Sequence, residues 1–348
     1  MTSRPGYPAL RWGIAGYGDV VRRRALPALA ALGQPVAGIW GRDRARAAAL
    51  AAGHRAGFGT EDFDVLLAAA DAVYIATPVS AHVPLCARAL RAGRHVLVEK
   101  PLAGGLPYDL ARLQELAAAA GTVAAVAYYR RHSPAARFLR GLLAAGHCQR
   151  VRLRFRSAFS PAPGDPMSWR TDISVAGGGV LADAGSHRID LLCLLLGPPG
   201  QVAGELTGLF PGGAERRARV ELRWPGGCQA RALFEWSPRP ARDELTITGP
   251  GLRVDCPALD SGRLLVTTAA GRASHHLPPA ANPVTPAFAD LIECAATGRA
   301  PGCTLADAAV TDTIIAAAMS SAAGVTPGRS RASPRWIQRY ETGRPGHW

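Results

Sequence analysis

Lysine is almost missing from this chain. Of its 40 basic residues, 39 are arginine, and the single lysine is Lys100, in Glu99-Lys100-Pro101. A coding bias toward G and C replaces lysine with arginine wherever either cation serves. A guanidinium effectively never releases its proton, whereas a desolvated ammonium can. Lys100 is therefore a candidate proton donor or acceptor; an ordinary surface lysine is the plain alternative. Aromatic residues are also scarce, at 6%. No aromatic–basic platform or helix-turn-helix signature turns the net charge of +14 into a nucleic-acid reading. The arginines scatter. Arg150, Arg152, Arg154 and Arg156 alternate, so on a strand they would line one face. Most of the charge reads as solvated surface, and its net field favours anionic cofactors and substrates.

Metal-binding and disulfide patterns are missing too. The seven cysteines include no CxxC pair and none at ligand spacing from a histidine, so no metal site is expected. Reduced thiols in a cytoplasmic protein fit best. The most apolar run, 191–196, is far too short to span a bilayer, and the N-terminus shows no basic-then-apolar leader. No membrane partner is expected.

At 348 residues the chain is long enough for two domains, and 48% hydrophobic content is that of a globular protein. Up to about residue 126, strand-like segments (10–15, 36–40, 72–76, 95–98, 123–127) alternate with helix-like ones (to 31, to 91, 106–120). That alternation predicts an α/β domain with a parallel sheet over 1–126. Over 127–328 the strand-like segments 150–159, 215–223, 229–235, 244–248 and 264–268 are separated by Gly/Pro turns. They predict an α+β domain with a large, mostly antiparallel open sheet. Helices are expected near 182–196, 286–296 and 305–322, and a polar tail over 329–348.

The segment Gly13-Ile14-Ala15-Gly16-Tyr17-Gly18-Asp19-Val20-Val21 follows the first strand and opens a helix. Gly16 and Gly18 allow a tight turn and close backbone approach to a pyrophosphate at a helix N-terminus. Tyr17, Asp19 and Val20 complete the expected contact. Val21 stands where a full GxGxxG would have its third glycine, and an ordinary glycine turn is the competing reading. At the end of the second strand, an acidic side chain would favour NAD by bonding the ribose. Here that position is Gly41, followed by Arg42. Room plus positive charge predicts a preference for NADP; Asp43, one step later, keeps NAD open.

Four segments in this order resemble the glucose–fructose oxidoreductase/inositol dehydrogenase (Gfo/Idh/MocA) family. They are the Gly16–Gly18 turn, Ala76-Thr77-Pro78-Val79-Ser80-Ala81-His82, Glu99-Lys100-Pro101, and Gly177-Gly178-Gly179-Val180-Leu181-Ala182-Asp183-Ala184-Gly185-Ser186-His187. Tyr128-Tyr129-Arg130-Arg131 and Trp169-Arg170 fit the same layout. The resemblance covers roughly residues 10–327. It implies an N-terminal Rossmann domain, an open-sheet second domain and NAD(P)-dependent hydride transfer at the cleft between them. Tyr129 departs from the family, whose members often carry Asn there.

The resemblance carries Lys100, Asp183 and His187 over as the catalytic set. Hydride transfer needs a group that takes or gives the hydroxyl proton. His187 is expected as that acid/base, with Lys100 on the reacting oxygen and Asp183 orienting the cations; Lys100 and His187 could exchange roles. Asp183, His187 and Asp190 fall on one helix face by their spacing. The plain alternative makes Asp183 a helix cap and His187 an interfacial histidine. Thr77, Pro78, His82 and Glu99 are expected to line the cofactor cleft, and Trp169 and Arg170 to approach it from the second domain. The implied substrate is a sugar, nucleotide-sugar or cyclic polyol. A cofactor-binding sensor without turnover is the competing function. A homodimer or homotetramer is expected through the second sheet, with Val220, Leu222, Trp224, Leu233 and Phe234 on its bare face.

Overall fold

Trp12–Ala15 (β1) and Ala72–Ile75 (β4) are short apolar runs buried along their whole length, as central parallel strands with helices on both faces must be. The computed structural model describes residues 8–144, 146, 148–162 and 164–323; the tail expected at 329–348 lies outside them. In chain order the first domain runs β1, α1 (Leu26–Ala31), β2 (Val36–Trp40), α2 (Arg44–Gly53), β3 (Gly59–Thr60), α3 (Phe63–Ala69), β4, α4 (His82–Arg91), β5 (His95–Val98), α5 (Leu110–Ala120) and β6 (Ala124–Val126). The sheet order is β3-β2-β1-β4-β5-β6, every pair parallel. The order reverses between β1 and β4, and a crevice at such a point is where open α/β sheets bind ligands.

The second domain begins with α6 (Pro134–Leu143) and β7 (Arg150–Ser157). It continues through α7 (Ile173–Ala176), α8 (Ser186–Leu196), β8 (Gln201–Leu209), β9 (Glu215–Arg223), β10 (Gln229–Trp236), β11 (Arg242–Gly249), β12 (Leu252–Cys256), β13 (Arg263–Thr268) and β14 (Gly271–His276). Its eight strands order as β14-β13-β12-β11-β7-β10-β9-β8, with β7 and β10 parallel and all other pairs antiparallel. The chain then returns. In α9 (Thr285–Thr297), Phe288 stacks edge-on against Trp12 of β1, and Leu305 and Ala308 of α10 (Leu305–Ala322) join the other face of the first sheet. Residues 284–308 thus belong to the first domain's core, although the second domain precedes them.

Two expectations are corrected. The helix expected from Leu106 starts at Leu110, because Pro107 interrupts it and Asp109 caps it by accepting from the Arg112 N–H. Val220, Leu222, Trp224 and Phe234 do not face outward. They are buried at 0–7% exposure in the second domain's own core, which includes residues of α8 and α10. The opposite face of the sheet carries Arg150, Arg152, Arg154, Arg219 and Arg231, with Leu233 partly exposed among them. Ion pairs such as Arg219–Glu205 and Arg156–Glu235 knit it together, so this face is polar.

Candidate active site

The dinucleotide turn hangs from the end of β1. The Gly16 N–H donates to the carbonyl of Trp40 (2.9 Å), and Gly16 takes φ +118°, where its missing Cβ would lie 2.4 Å from the Ala76 carbonyl oxygen. Only glycine lets the turn lie this close to the end of β4. A Cβ on Gly18 would touch nothing within 4 Å, so the turn opens onto free space. Beyond it, Val21–Ala25 forms one wide π-type turn that runs into α1. Asp19 directs its carboxylate to Arg22 and Arg23, leaving its backbone to the turn.

At the end of β2, Tyr17 fills the space an acidic side chain would need. A Cβ on Gly41 would lie 2.0 Å from the Tyr17 ring, and the Arg46 guanidinium covers that ring at 4.4 Å. Asp43 accepts from the Arg46 N–H at 3.0 Å as the cap of α2, so it is bound to its own helix. Arg42 is exposed and makes no ion pair among the described residues.

Thr77 and Pro78 follow β4. His82 is buried, with its ring nitrogens 2.9 Å from the carbonyls of Pro101 and Thr77. Burial pushes its pKa down to about 4, against the pull of those two carbonyls. The neutral ring donates to one of them at a time. It ties the Thr77 turn to the Lys100-Pro101 segment, whose peptide bond is cis. The ring itself is thus turned to the backbone rather than to the cleft. The Thr77 hydroxyl, by contrast, is buried without a partner.

Lys100 and Asp183 meet. Nζ of Lys100 donates to the carbonyl oxygen of Asp183 (2.8 Å) and to its Oδ1 (3.0 Å), while Arg170 approaches Oδ2 at 3.4 Å. Burial would raise the Asp183 carboxyl, but the Lys100 and Arg170 charges overcome it and hold its pKa at about 2. Asp183 is not a helix cap: it sits on the wide turn Leu181–Gly185 that leads into α8. Behind Lys100, Glu99 accepts from the Tyr74 hydroxyl at 2.6 Å and from the Lys100 N–H at 3.2 Å. Trp169 and Arg170 stand on the Ser168–Thr171 turn, the guanidinium 5.4 Å from the indole.

His187 is buried one turn further along, with the rings of Tyr129 and Tyr128 against it at 4.9 and 5.8 Å. Burial first, and then the charges of Lys100, Arg130 and Arg188, push its pKa well below 6.5. The imidazole is neutral, and its Nδ1 is buried without a hydrogen-bond partner. Carboxylates hold the flanking cations in place: Arg130 on Asp260 (2.7 Å), Arg188 on Asp243 (2.6 and 2.8 Å). Asp190 does not share the cavity of His187. It is fully buried, and the Arg131 Nε donates to both its oxygens (2.9 and 3.0 Å).

Two supporting acidic side chains were not foreseen. Glu215, at the start of β9, accepts from the N–H groups of Gly179 (2.7 Å) and Leu181 (2.8 Å). A Cβ on Gly179 would lie 2.0 Å from the Glu215 carbonyl oxygen, which accounts for a glycine there. Asp312, on α10, accepts from the Ala103 N–H at 2.7 Å, just past Pro101. Both partners lie more than 30 residues away in sequence, with no local signal to link them.

The geometry fits a dinucleotide: an open glycine turn at a helix start, an unpartnered Thr77 hydroxyl beside it, and the unpartnered His187 nitrogen near Lys100. Residues 10–128 match the model of the oxidoreductase family with an NAD-binding Rossmann fold, and 139–251 that of the GFO/IDH/MocA C-terminal domain. The chain is 42% identical over 202 residues to a dTDP-3,4-didehydro-2,6-dideoxy-alpha-D-glucose 3-reductase of Streptomyces violaceoruber, covering 56% of this chain and 57% of that one. A protein of the same name from Streptomyces antibioticus is 34% identical over 269 residues, covering 71% and 76%. Among solved structures, the WlbA dehydrogenase from Bordetella pertussis in complex with NADH and UDP-GlcNAcA superposes with a TM-score of 0.78. It is 22% identical, over 92% of this chain and 98% of that one, and shares the fold. Among the described residues no helix is long and apolar enough to cross a membrane.

Proposed function

From a chain that belongs to the GFO/IDH/MocA oxidoreductase family, we propose an NAD(P)-dependent reductase that acts on the keto carbon of a sugar, with a nucleotide-linked keto-sugar as its substrate. The observation that carries the reading is the pair of hydrogen bonds that Lys100 donates to Asp183, beside a neutral His187 whose Nδ1 has no partner. The names of the two Streptomyces relatives support the substrate class. So does the net charge of +14, which favours a diphosphate-bearing ligand.

A nicotinamide bound in the cleft would supply the hydride. Gly16 to Val20 would hold its pyrophosphate, Thr77 and Pro78 would border it, and Arg42 would meet a 2′-phosphate; NADP is the preferred form. An ammonium has three N–H donors, and Lys100 gives two to Asp183. The third is available to the substrate oxygen. Lys100 donates the proton as that oxygen becomes a hydroxyl, and takes it back in the reverse direction. Burial and the cations around His187 disfavour its protonation, so it orients the substrate by accepting a hydroxyl hydrogen bond. This exchanges the roles expected from unperturbed pKa values. Trp169 and Arg170 would close the site from the second domain, with Arg170 steadying Asp183.

Turnover tests the reading. NADPH oxidation is followed with dTDP- and UDP-linked keto-sugars, free keto-sugars and cyclic polyols, the polyols in the reverse direction. Turnover with a nucleotide-linked keto-sugar is expected. Cofactor binding without turnover on any of them would favour the non-catalytic sensor. Self-association through the second sheet would be a polar contact, since the apolar residues face inward; sedimentation at low and high salt tests it.

A further inference from the structure

Five of the seven cysteines are chemically quiet. Burial, helped by nearby carboxylates in all but Cys86, pushes up the thiols of Cys86, Cys193, Cys256, Cys294 and Cys303, Cys193 and Cys256 to about 12 and Cys294 to about 11. Thiols held that high carry little thiolate and react slowly with oxidants.

The other two face each other. Cys148 precedes β7, and Cys228 precedes β10. These strands run parallel with Arg150 opposite Gln229, and the Gln229 N–H donates to the Gln149 carbonyl at 2.9 Å. That register sets the residues just ahead of each strand side by side, although 80 positions separate them in the chain. The two sulfurs lie 2.7 Å apart. Cys228 belongs to the second domain's core, while Cys148 is partly exposed at its edge. The Cys148 thiol donating to Cys228 lowers the Cys228 pKa and raises its own. Of the two, Cys228 is the more readily ionised, with a second thiol already in contact.

We propose that Cys148 and Cys228 are a redox-modification site: a dithiol that hydrogen peroxide, a small oxidant able to reach a mostly covered sulfur, converts reversibly to a disulfide. The Cys228 thiolate attacks one peroxide oxygen, the O–O bond breaks, and hydroxide leaves, giving a sulfenic acid. Cys148, losing its proton, attacks that sulfur; the S–O bond breaks and water leaves. Each sulfur is oxidised by one electron, and the peroxide is reduced by two. The site is separate from the cleft. Helix α6, ten residues and about 15 Å long, lies between the Tyr129–His132 turn and the segment carrying Cys148.

The purified full chain is treated with peroxide and its free thiols are counted before and after. The count is expected to fall from seven by two, and non-reducing peptide mapping is expected to link Cys148 to Cys228. Dithiothreitol restores the count. The oxidised chain melts about 5–10 °C higher, because a long loop is closed in the unfolded state, and its turnover is unchanged. Cys228→Ser and Cys148→Ala each abolish the link and the melting shift. Retention of all seven thiols would overturn the proposal. So would an equal loss in Cys148→Ala, or sulfinic and sulfonic acids in place of the link.

Discussion

Lys100 and Asp183, 83 positions apart, are bonded twice, once through the Asp183 backbone carbonyl and once through its carboxylate. The backbone bond fixes where the ammonium sits even when the carboxylate moves. The carboxylate bond sets an opposite charge beside it. Each half comes from a different domain: Lys100 follows the last residues of β5, and Asp183 lies on the turn entering α8. The pair therefore registers one domain against the other at the point where the chemistry is proposed.

Cofactor choice is expected to depend on Arg42. Arg42→Ala should weaken NADPH binding about 10–100-fold, the worth of one or two charge-assisted hydrogen bonds, and leave NADH binding unchanged. Fluorescence titration of both cofactors measures this. Replacing Gly41 with Asp is a poorer test, since the new side chain would strike the Tyr17 ring. Equal loss for both cofactors would place Arg42 away from the 2′-phosphate.

Acid stability is expected to report on His82. Its folded pKa is about 4, below the unfolded value near 6.5, so the unfolded chain binds the proton first. The contribution is complete above pH 6.5 and is lost as the pH falls toward 4, by up to about 3 kcal/mol. His82→Gln should flatten that limb of the stability profile, as followed by urea unfolding across the range. An unchanged slope would mean that His82 is already charged in the fold.

Asp312 works in the opposite sense. Burial raises its carboxyl to about 8 despite the hydrogen bonds from Ala103 and Gly104. Folding therefore resists its ionisation, and stability falls as the pH rises from about 4 toward 8. Asp312→Asn keeps an acceptor for the Ala103 N–H. The variant should gain on the wild type at pH 8 and not at pH 4, a difference that melting curves at the two values reveal.

Glu215 holds the glycine segment ahead of Asp183. Glu215→Ala would leave two buried N–H groups without partners, at about 1–3 kcal/mol each. The expected result is a lower denaturation midpoint together with reduced turnover. A variant with wild-type midpoint and activity would show that the segment holds itself.

Strands β2, β5 and β9 and helix α10 were legible to the residue. Their apolar runs or helical spacing are strong, and Gly, Pro, Asp or Thr bound several of them. Helix α2, RARAAALAAG, was missed because alanine gives it no clear apolar face. Strands β8, with two interior glycines, and β14, GRASHH, lack the β-branched alternation that marks a strand. In the site, Lys100 stood out by its isolation and Asp183 by its motif. The distant acidic side chains were hidden, since a clamp such as Asp312 on Ala103, 209 positions away, leaves no mark in local sequence. The same limit placed Val220 and Phe234 on the wrong face: alternation shows that a strand has an apolar side, not which neighbour covers it.

The central claim is that Lys100 transfers the proton while Asp183 holds it in place. Lys100→Arg keeps the positive charge and removes the exchangeable proton. The decisive measurement is turnover of that variant on the best nucleotide-linked keto-sugar, with NADPH affinity measured on the same preparation. Turnover should fall by about 100-fold or more, the usual worth of a general acid, with cofactor affinity unchanged. Near wild-type turnover from an arginine at position 100 would contradict the account.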